Sequence, residues 1–186
     1  MTLEEEKKLV MRAKKEPEAF GLLYDEYYSA IFGYVLKRTV DIDLTKDIVS
    51  ETFLKALKNI QGFKWKNISF SFWLFRLASN ETVNFFRKKK TASLTQNINP
   101  VSKDNPLEET IRAGEELKNH QDFLEISRKI RNLPEKYQEV IVLRFFEEKS
   151  LKEISEILNK REGTVKSLLY RGLEQLRKQF LPPDNR

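Results

Sequence analysis

The sequence predicts an all-α fold of two small helical domains joined by a flexible linker. Three observations carry that reading. Apolar residues recur at helical spacing along the chain. With six Gly and six Pro in 186 residues, the turn residues of a β-rich or collagen-like architecture are scarce. One polar stretch, 93–105, is poor in apolar anchors and reads as a linker between domains 1–92 and 106–186.

In chain order, Thr2 and Glu5 form a capping box that opens a helix through about Lys14, with Leu3, Val10 and Ala13 as its sparse apolar positions. Pro17, at a first-turn position, opens a second helix whose Phe20, Leu23, Tyr24, Tyr27, Ile31, Phe32, Val35 and Leu36 form a wide apolar stripe. A third helix runs from about Asp43 to Asn59. It turns Ile48, Val49, Thr52, Phe53, Ala56, Leu57 and Ile60 inward and Asp47, Ser50, Glu51, Leu54 and Lys55 outward. Leu54, an outward leucine among polar residues, is a candidate contact.

After Gly62, residues 63–73 interleave aromatic rings with cations and amides, at first without a helical period. Most of these rings are expected to fill a core. Helical spacing resumes with Phe70, Trp73, Leu74, Leu77 and Ala78 and continues through Val83 and Phe86 to Arg87, Lys88, Lys89 and Lys90. A basic run suits the negative end of a helix dipole. Beside exposed rings it also suits single-stranded DNA, which is held by stacking on aromatics and by cations along the backbone.

Beyond the linker, Asn105 and Pro106 read as an N-cap with proline in the first turn, opening a helix past Phe123, Leu124 and Ile130 to Leu133, where Pro134 breaks it. Tyr137, Val140, Ile141, Leu143 and Phe146 form another amphipathic helix. Residues 149–176 then read as a helix-turn-helix. Ser150 and Glu153 make a second capping box, and Ile154, Ile157 and Leu158 repeat until Asn159, a residue that tolerates the left-handed conformation ending a helix. From Glu162 the second helix places Val165, Leu169, Leu173, Leu176 and Phe180 on one face and leaves Lys166, Ser167, Tyr170 and Arg171 free to meet base edges. Gly163 in its first turn is expected to mark a close packing contact. On pattern alone, a helical hairpin with a solvated basic face fits equally well. Charge favours the DNA reading: between 160 and 178 six cations face only Glu162 and Glu174, a net +4.

The whole chain carries +6 with a pI near 9.3, which favours a polyanionic partner. The excess is local, +5 over 1–92 (17 cations, 12 anions), 0 over 93–105 and +1 over 106–186 (16 cations, 15 anions). No segment approaches the roughly 20 apolar residues of a membrane span, and residues 1–15 form a charged amphipathic helix rather than a signal peptide, so a cytoplasmic protein without membrane insertion is expected. The absence of Cys excludes disulfides and thiolate metal sites. The single histidine, His120, stands without a Ser/His/Asp set, metal spacing or phosphate loop, so neither catalytic residues nor a metal or other cofactor is expected.

Four motifs occur together: residues 47–54 (DIVSETFL), residues 72–80 (FWLFRLASN) leading to Arg87, Lys88 and Lys89, then Leu133-Pro134, and residues 163–167 (GTVKS). In that order and spacing the chain resembles bacterial RNA polymerase sigma factors of the extracytoplasmic-function (ECF) group over nearly its whole length.

The resemblance implies that 1–92 is sigma region 2 and 106–186 sigma region 4, in a subunit that directs core RNA polymerase to the promoters of a stress or envelope response. Asp47, Ser50, Glu51 and Leu54 would bind the coiled-coil clamp helices of the polymerase, Ser50 standing where glutamine is common. Lys64, Trp65, Asn67, Trp73, Asn80, Arg87 and Lys88 would meet the minus-ten element, one non-template base being flipped out of the stack at a cost of a few kcal/mol. Arg161, Thr164, Lys166, Ser167, Tyr170 and Arg171 would meet the minus-thirty-five element in the major groove. Arg161 replaces a common proline or capping residue, and Leu168 stands where arginine is usual. The expected partners are core RNA polymerase, promoter DNA and an anti-sigma factor covering the polymerase-binding face. Two other readings stay open on the residues alone. A stand-alone helix-turn-helix regulator would footprint a palindromic duplex without polymerase, and a module that only sequesters a partner would show no salt-dependent DNA binding.

Overall fold

The computed structural model of the chain describes residues 1–66, 68–95 and 114–180, with side chains described over 1–66, 68–88 and 121–180. Asn67, the expected linker beyond Thr95, the N-cap expected at Asn105, and the side chains of Lys89, Lys90 and His120 lie outside the described residues. Among the described residues every regular element is helical: α1 (Leu3–Ala13), α2 (Pro17–Thr39), α3 (Ile42–Asn59), a 3-10 turn (Ile60–Gly62), α4 (Phe70–Thr95), α5 (Gly114–Arg131), α6 (Glu135–Phe145), α7 (Leu151–Leu158) and α8 (Glu162–Lys178).

Local chemistry accounts for most boundaries. At α1 the Thr2 hydroxyl accepts from the Glu5 N–H at 3.3 Å, and the Glu5 carboxylate accepts from the Thr2 N–H at 2.7 Å. That second bond holds Glu5 below the ordinary carboxylate range. α2 starts on Pro17 and stops at Val40, whose φ of 51° carries the chain into the left-handed region while its N–H still reaches the Leu36 carbonyl. Asp41 caps α3 through the Leu44 N–H at 3.0 Å, one residue ahead of the expected start. α4 passes the basic run and continues to Thr95, so residues 93–95 of the expected linker are helical; no Gly or Pro stands there to stop propagation.

In the first module α2 packs against α1, α3 and α4, and α3 also packs against α4. Leu23, Ile31, Tyr34, Phe70 and Leu74 are fully buried among them. In the second, α8 lies on α6 and α7. Four expected core positions are exposed, Tyr24 of α2 among them. Leu57 lies a quarter turn from Ala56, the centre of the buried arc of α3 at 3.6 residues per turn. Leu173 misses the α8 core because the buried arc centres on Val165 and Gly172, and Phe180 lies beyond the helix end with Lys129 Nζ 4.3 Å from its ring centroid. The close approach expected at Gly163 is instead at Gly172. A Cβ on Gly163 would meet nothing within 4 Å, whereas one on Gly172 would lie 3.1 Å from both Ile141 Cδ1 and Tyr137 Cβ.

The two modules pack on each other through α2 with α5 and α6, and α4 with α7. Arg38, a cation inside α2, is fully buried there. Its Nη1 donates to Tyr34 Oη at 3.1 Å and to Ser79 Oγ at 3.4 Å, and its Nη2 lies 3.9 Å from Glu139 of α6. Lys37 pairs with Glu147 at 3.1 Å, both side chains mostly shielded from water.

Candidate functional site

Three surfaces collect the expected site residues. On α3, Asp47, Ser50, Glu51 and Leu54 are all exposed and share one stripe because they repeat at three and four residues. Leu54 keeps 43% of its surface open. Lys55 borders the stripe, reaching Glu81 of α4 at 2.6 Å and Glu51 at 3.4 Å. The hydrogen bond to Glu81 raises its pKa. The stripe is thus an acidic, partly apolar ridge with no other described helix laid over it.

The second surface is the segment 63–69 with the first turns of α4. Phe63 is the hub: its ring lies 5.1 Å from both Phe70 and Trp73, and Trp65 packs edge-on against it at 6.4 Å. Phe70 is fully buried, so it fixes the cluster to the core, while Phe63, Trp65 and Trp73 stay half-buried. Beside the rings opens a cavity of about 290 Å³ lined by Phe63, Lys64, Lys66, Ile68, Ser69, Phe72, Trp73 and Arg76, with Glu156 of α7 and its C-cap Asn159 also in the wall. It combines flat apolar walls with a cationic rim, which suits a planar group attached to a phosphate backbone.

The structure therefore brings Lys64 and Trp73 into one cavity with Trp65 packed beside it on Phe63, and puts Asn80 elsewhere. Asn80 is exposed on α4 and lines a separate groove, with Glu81, Val83 and Asn84 on one side and Glu135, Lys136 and Glu139 of α6 on the other. Arg87 and Lys88 are exposed further along α4, Arg87 Nη2 donating to Asn84 Oδ1 at 3.1 Å. The resemblance implies that the loop from Phe63 to Phe72 and the following helix meet the minus-ten element, but sequence reasoning singled out none of Lys66, Phe72 and Arg76. Arg76 stands in the otherwise apolar run 72–78, and a cation in such a place signals a specific partner. Its Nε donates to the Ile157 carbonyl at 2.8 Å, and Nη2 donates to the Glu156 carbonyl. These are the orphan carbonyls at the C-terminal end of α7, where a cation is also favoured by the dipole.

The third surface is the helix-turn-helix. Ser150 Oγ accepts from the Glu153 N–H at 3.3 Å, and Glu153 accepts from the Ser150 N–H at 2.8 Å. Burial raises the Glu153 pKa, but the Ser150 bonds outweigh it and leave the carboxyl below its ordinary value. Asn159, at φ 51°, ends α7 with its N–H on the Ser155 carbonyl. α8 then presents Thr164, Lys166, Ser167, Tyr170 and Arg171 to solvent, Tyr170 at 73% exposure, and Arg161 is exposed at its N-cap without a side-chain capping bond. Leu168 packs against the core, so it belongs to the buried side of the helix.

Two family models match the sequence, Sigma-70 region 2 over residues 23–92 and Sigma-70, region 4 over residues 123–176. The chain is 38% identical over 186 aligned residues to the ECF RNA polymerase sigma factor SigW of Bacillus subtilis (strain 168), covering 94% of this chain and 96% of that protein. It is 31% identical to the ECF RNA polymerase sigma factor BldN of Streptomyces coelicolor, covering 96% of this chain and 66% of that protein. Among solved structures, CnrH in complex with the cytosolic domain of CnrY has the same fold, with a TM-score of 0.69 at 19% identity and coverage of 94% of this chain and 96% of that one.

Proposed function

The chain belongs to the extracytoplasmic-function group of RNA polymerase sigma factors and serves promoter-specific transcription initiation with RNA polymerase; from that premise we propose that its three open faces divide the work. Asp47, Ser50, Glu51 and Leu54 bind core polymerase. The cavity beside Phe63 and Trp73 takes one unstacked base of the minus-ten element, with Lys64, Lys66 and Arg76 toward the backbone and Arg87 and Lys88 following the strand along α4. Lys166, Ser167, Tyr170 and Arg171 read the minus-thirty-five element, with Arg161 and Thr164 at the helix start toward phosphate. Residues 1–92 form the polymerase and minus-ten module, 106–186 the minus-thirty-five module, and 93–105 the linker. The chain has no catalytic site of its own: polymerase makes the phosphodiester bonds, and the protein works in the cytoplasm where polymerase and promoter are. An anti-sigma factor covers the α3 ridge in the resting state. The observation that carries this reading is the aromatic cavity with a cationic rim, which neither a duplex-only regulator nor a sequestering module needs.

The two modules separate when the promoter is engaged. Elements at minus ten and minus thirty-five are about 25 base pairs apart, roughly 85 Å of duplex at 3.4 Å per pair, whereas α7 here forms a wall of the minus-ten cavity. The strand takes the place that α7 occupies in the closed chain.

Run-off transcription from a promoter library with core polymerase, with and without the protein, tests the reading. Start sites that appear only when the protein is added, sharing two motifs at a fixed spacing, are expected; initiation unchanged by folded protein would sink it. Replacing Lys166 or Arg171 by Ala should cost about 1–3 kcal/mol of discrimination at one base pair of the upstream motif. A uniform loss across sequences would make that residue a phosphate contact.

A further inference from the structure

α1 and its C-cap Lys14 touch both ends of the segment that shapes the minus-ten cavity. At the entry, Lys14 Nζ donates to the Phe63 carbonyl at 2.6 Å and to the Gln61 carbonyl at 3.4 Å, while Gln61 Nε2 donates back to the Lys14 carbonyl. At the exit, Glu6 is buried to 3% exposure and one of its oxygens, Oε1, accepts from Ser69 Oγ at 2.9 Å, from the Phe70 N–H at 2.7 Å and from the Tyr27 hydroxyl. A buried carboxylate is costly unless hydrogen-bonded, so three donors on one oxygen mark a built arrangement.

The exit contact also completes a helix start. The first N–H groups of α4 have no partners within the helix. Ser69 Oγ accepts from the Ser71 N–H at 3.2 Å, the Ser69 carbonyl accepts from the Phe72 N–H at 3.1 Å, and Glu6 takes the Phe70 N–H. A carboxylate there is further favoured by the positive end of the α4 dipole. Phe70 and Trp73, two rings of the cavity cluster, ride on this first turn.

We infer that Glu6 and Lys14 are positioning residues for promoter recognition: α1 braces the segment 63–69 from both ends and so sets the shape of the cavity that receives the minus-ten base. The inference rests on the reading of that cavity given above. Neither side chain lines the cavity, so both act through the Phe63 carbonyl, Ser69 and the Phe70 N–H.

The test uses the full chain with core polymerase and a promoter library varied at both elements. Glu6→Gln keeps the shape of the side chain and removes its charge; Lys14→Met removes the entry contact at a half-exposed position, so it carries the test should Glu6→Gln fail to fold. Exposed Lys8→Ala on the same helix is the control. Both variants should narrow discrimination between best and worst minus-ten bases by roughly three- to tenfold, the net scale of one hydrogen bond. The minus-thirty-five ranking and core affinity should stay within about twofold of wild type. Both tryptophans of the chain, Trp65 and Trp73, lie in this region, so their emission should shift in the two variants and not in the control. Unchanged minus-ten discrimination and emission in folded variants would overturn the brace, as would parallel loss at both elements, the mark of a general loss of fold. A wild-type protein without any minus-ten preference would instead remove the cavity reading on which the brace depends.

Discussion

The segment 63–69, proposed to meet the minus-ten element, and the helix-turn-helix are both small, yet they are held in shape by opposite means. The helix-turn-helix is built from neighbours: Ser150 and Glu153 start α7, Asn159 ends it, and α8 follows two residues later. The described residues of the segment 63–69 form no regular element, and its ends are pinned by Glu6 and Lys14, which lie far away in sequence. Locally built recognition helices should tolerate the loss of any single bond, whereas a distantly braced segment should fail when one anchor goes.

The sharpest way to break that contrast is Phe70→Ala. Phe70 is fully buried and joins the cavity rings to the core, so its truncation should cost about 3–5 kcal/mol, read from the shift of the urea midpoint. No single exposed position of α8 should approach that value. Gly172→Val comes next, because a Cβ at that position would lie 3.1 Å from Ile141 Cδ1 and Tyr137 Cβ. Overpacking at this point should cost about 1–3 kcal/mol in the same measurement, and a neutral result would show that α8 can slide. Ser150→Ala should cost only about 1 kcal/mol. Its partner adds a pH signature. Glu153 has a lowered folded pKa, so its stabilisation is complete above the unfolded value and is lost as pH falls through the folded one. Glu153→Gln should flatten that acid limb of the stability curve. The smallest effect has the opposite sign: Gly163→Ala, with open space around the added methyl, should stabilise α8 by about 0.5–1 kcal/mol without altering the downstream motif.

The same contrast explains what was legible in the sequence. Capping boxes, the left-handed Asn159 and the outward stripe of α3 are local patterns, and residues 149–176 folded where those patterns put them. What escaped was long-range. Glu6 and Arg38 look like solvated charges on helices, and only the packing of α4 and α6 shows them buried. Gly163 was expected to be the close contact of α8, but it faces open space, and Gly172, which sequence reasoning did not single out, faces Ile141. Asn80 shares a helix and nearly a face with Trp73, but about two turns, roughly 10 Å along the axis, carry it into another groove. Arg76 stood in plain view as a cation in an apolar run, a signal that the list of aromatic and amide candidates passed over.

The contact between Arg76 and the last carbonyls of α7 has a thermodynamic side on the reading that the modules part at the promoter. Every bond that favours the closed chain lowers the fraction of molecules able to span both elements, and apparent affinity falls in proportion to that fraction. With about one chain in a hundred open, a promoter is bound roughly a hundredfold more weakly than by a permanently open protein. Loosening the α7 end that Arg76 holds, with Arg76 itself left in place for the strand, would then raise two quantities at once, promoter occupancy without an activating signal and exposure of the minus-ten cavity. On that reading the closed interface sets the basal level of transcription, a quantity that neither of the proposed DNA-reading surfaces determines alone.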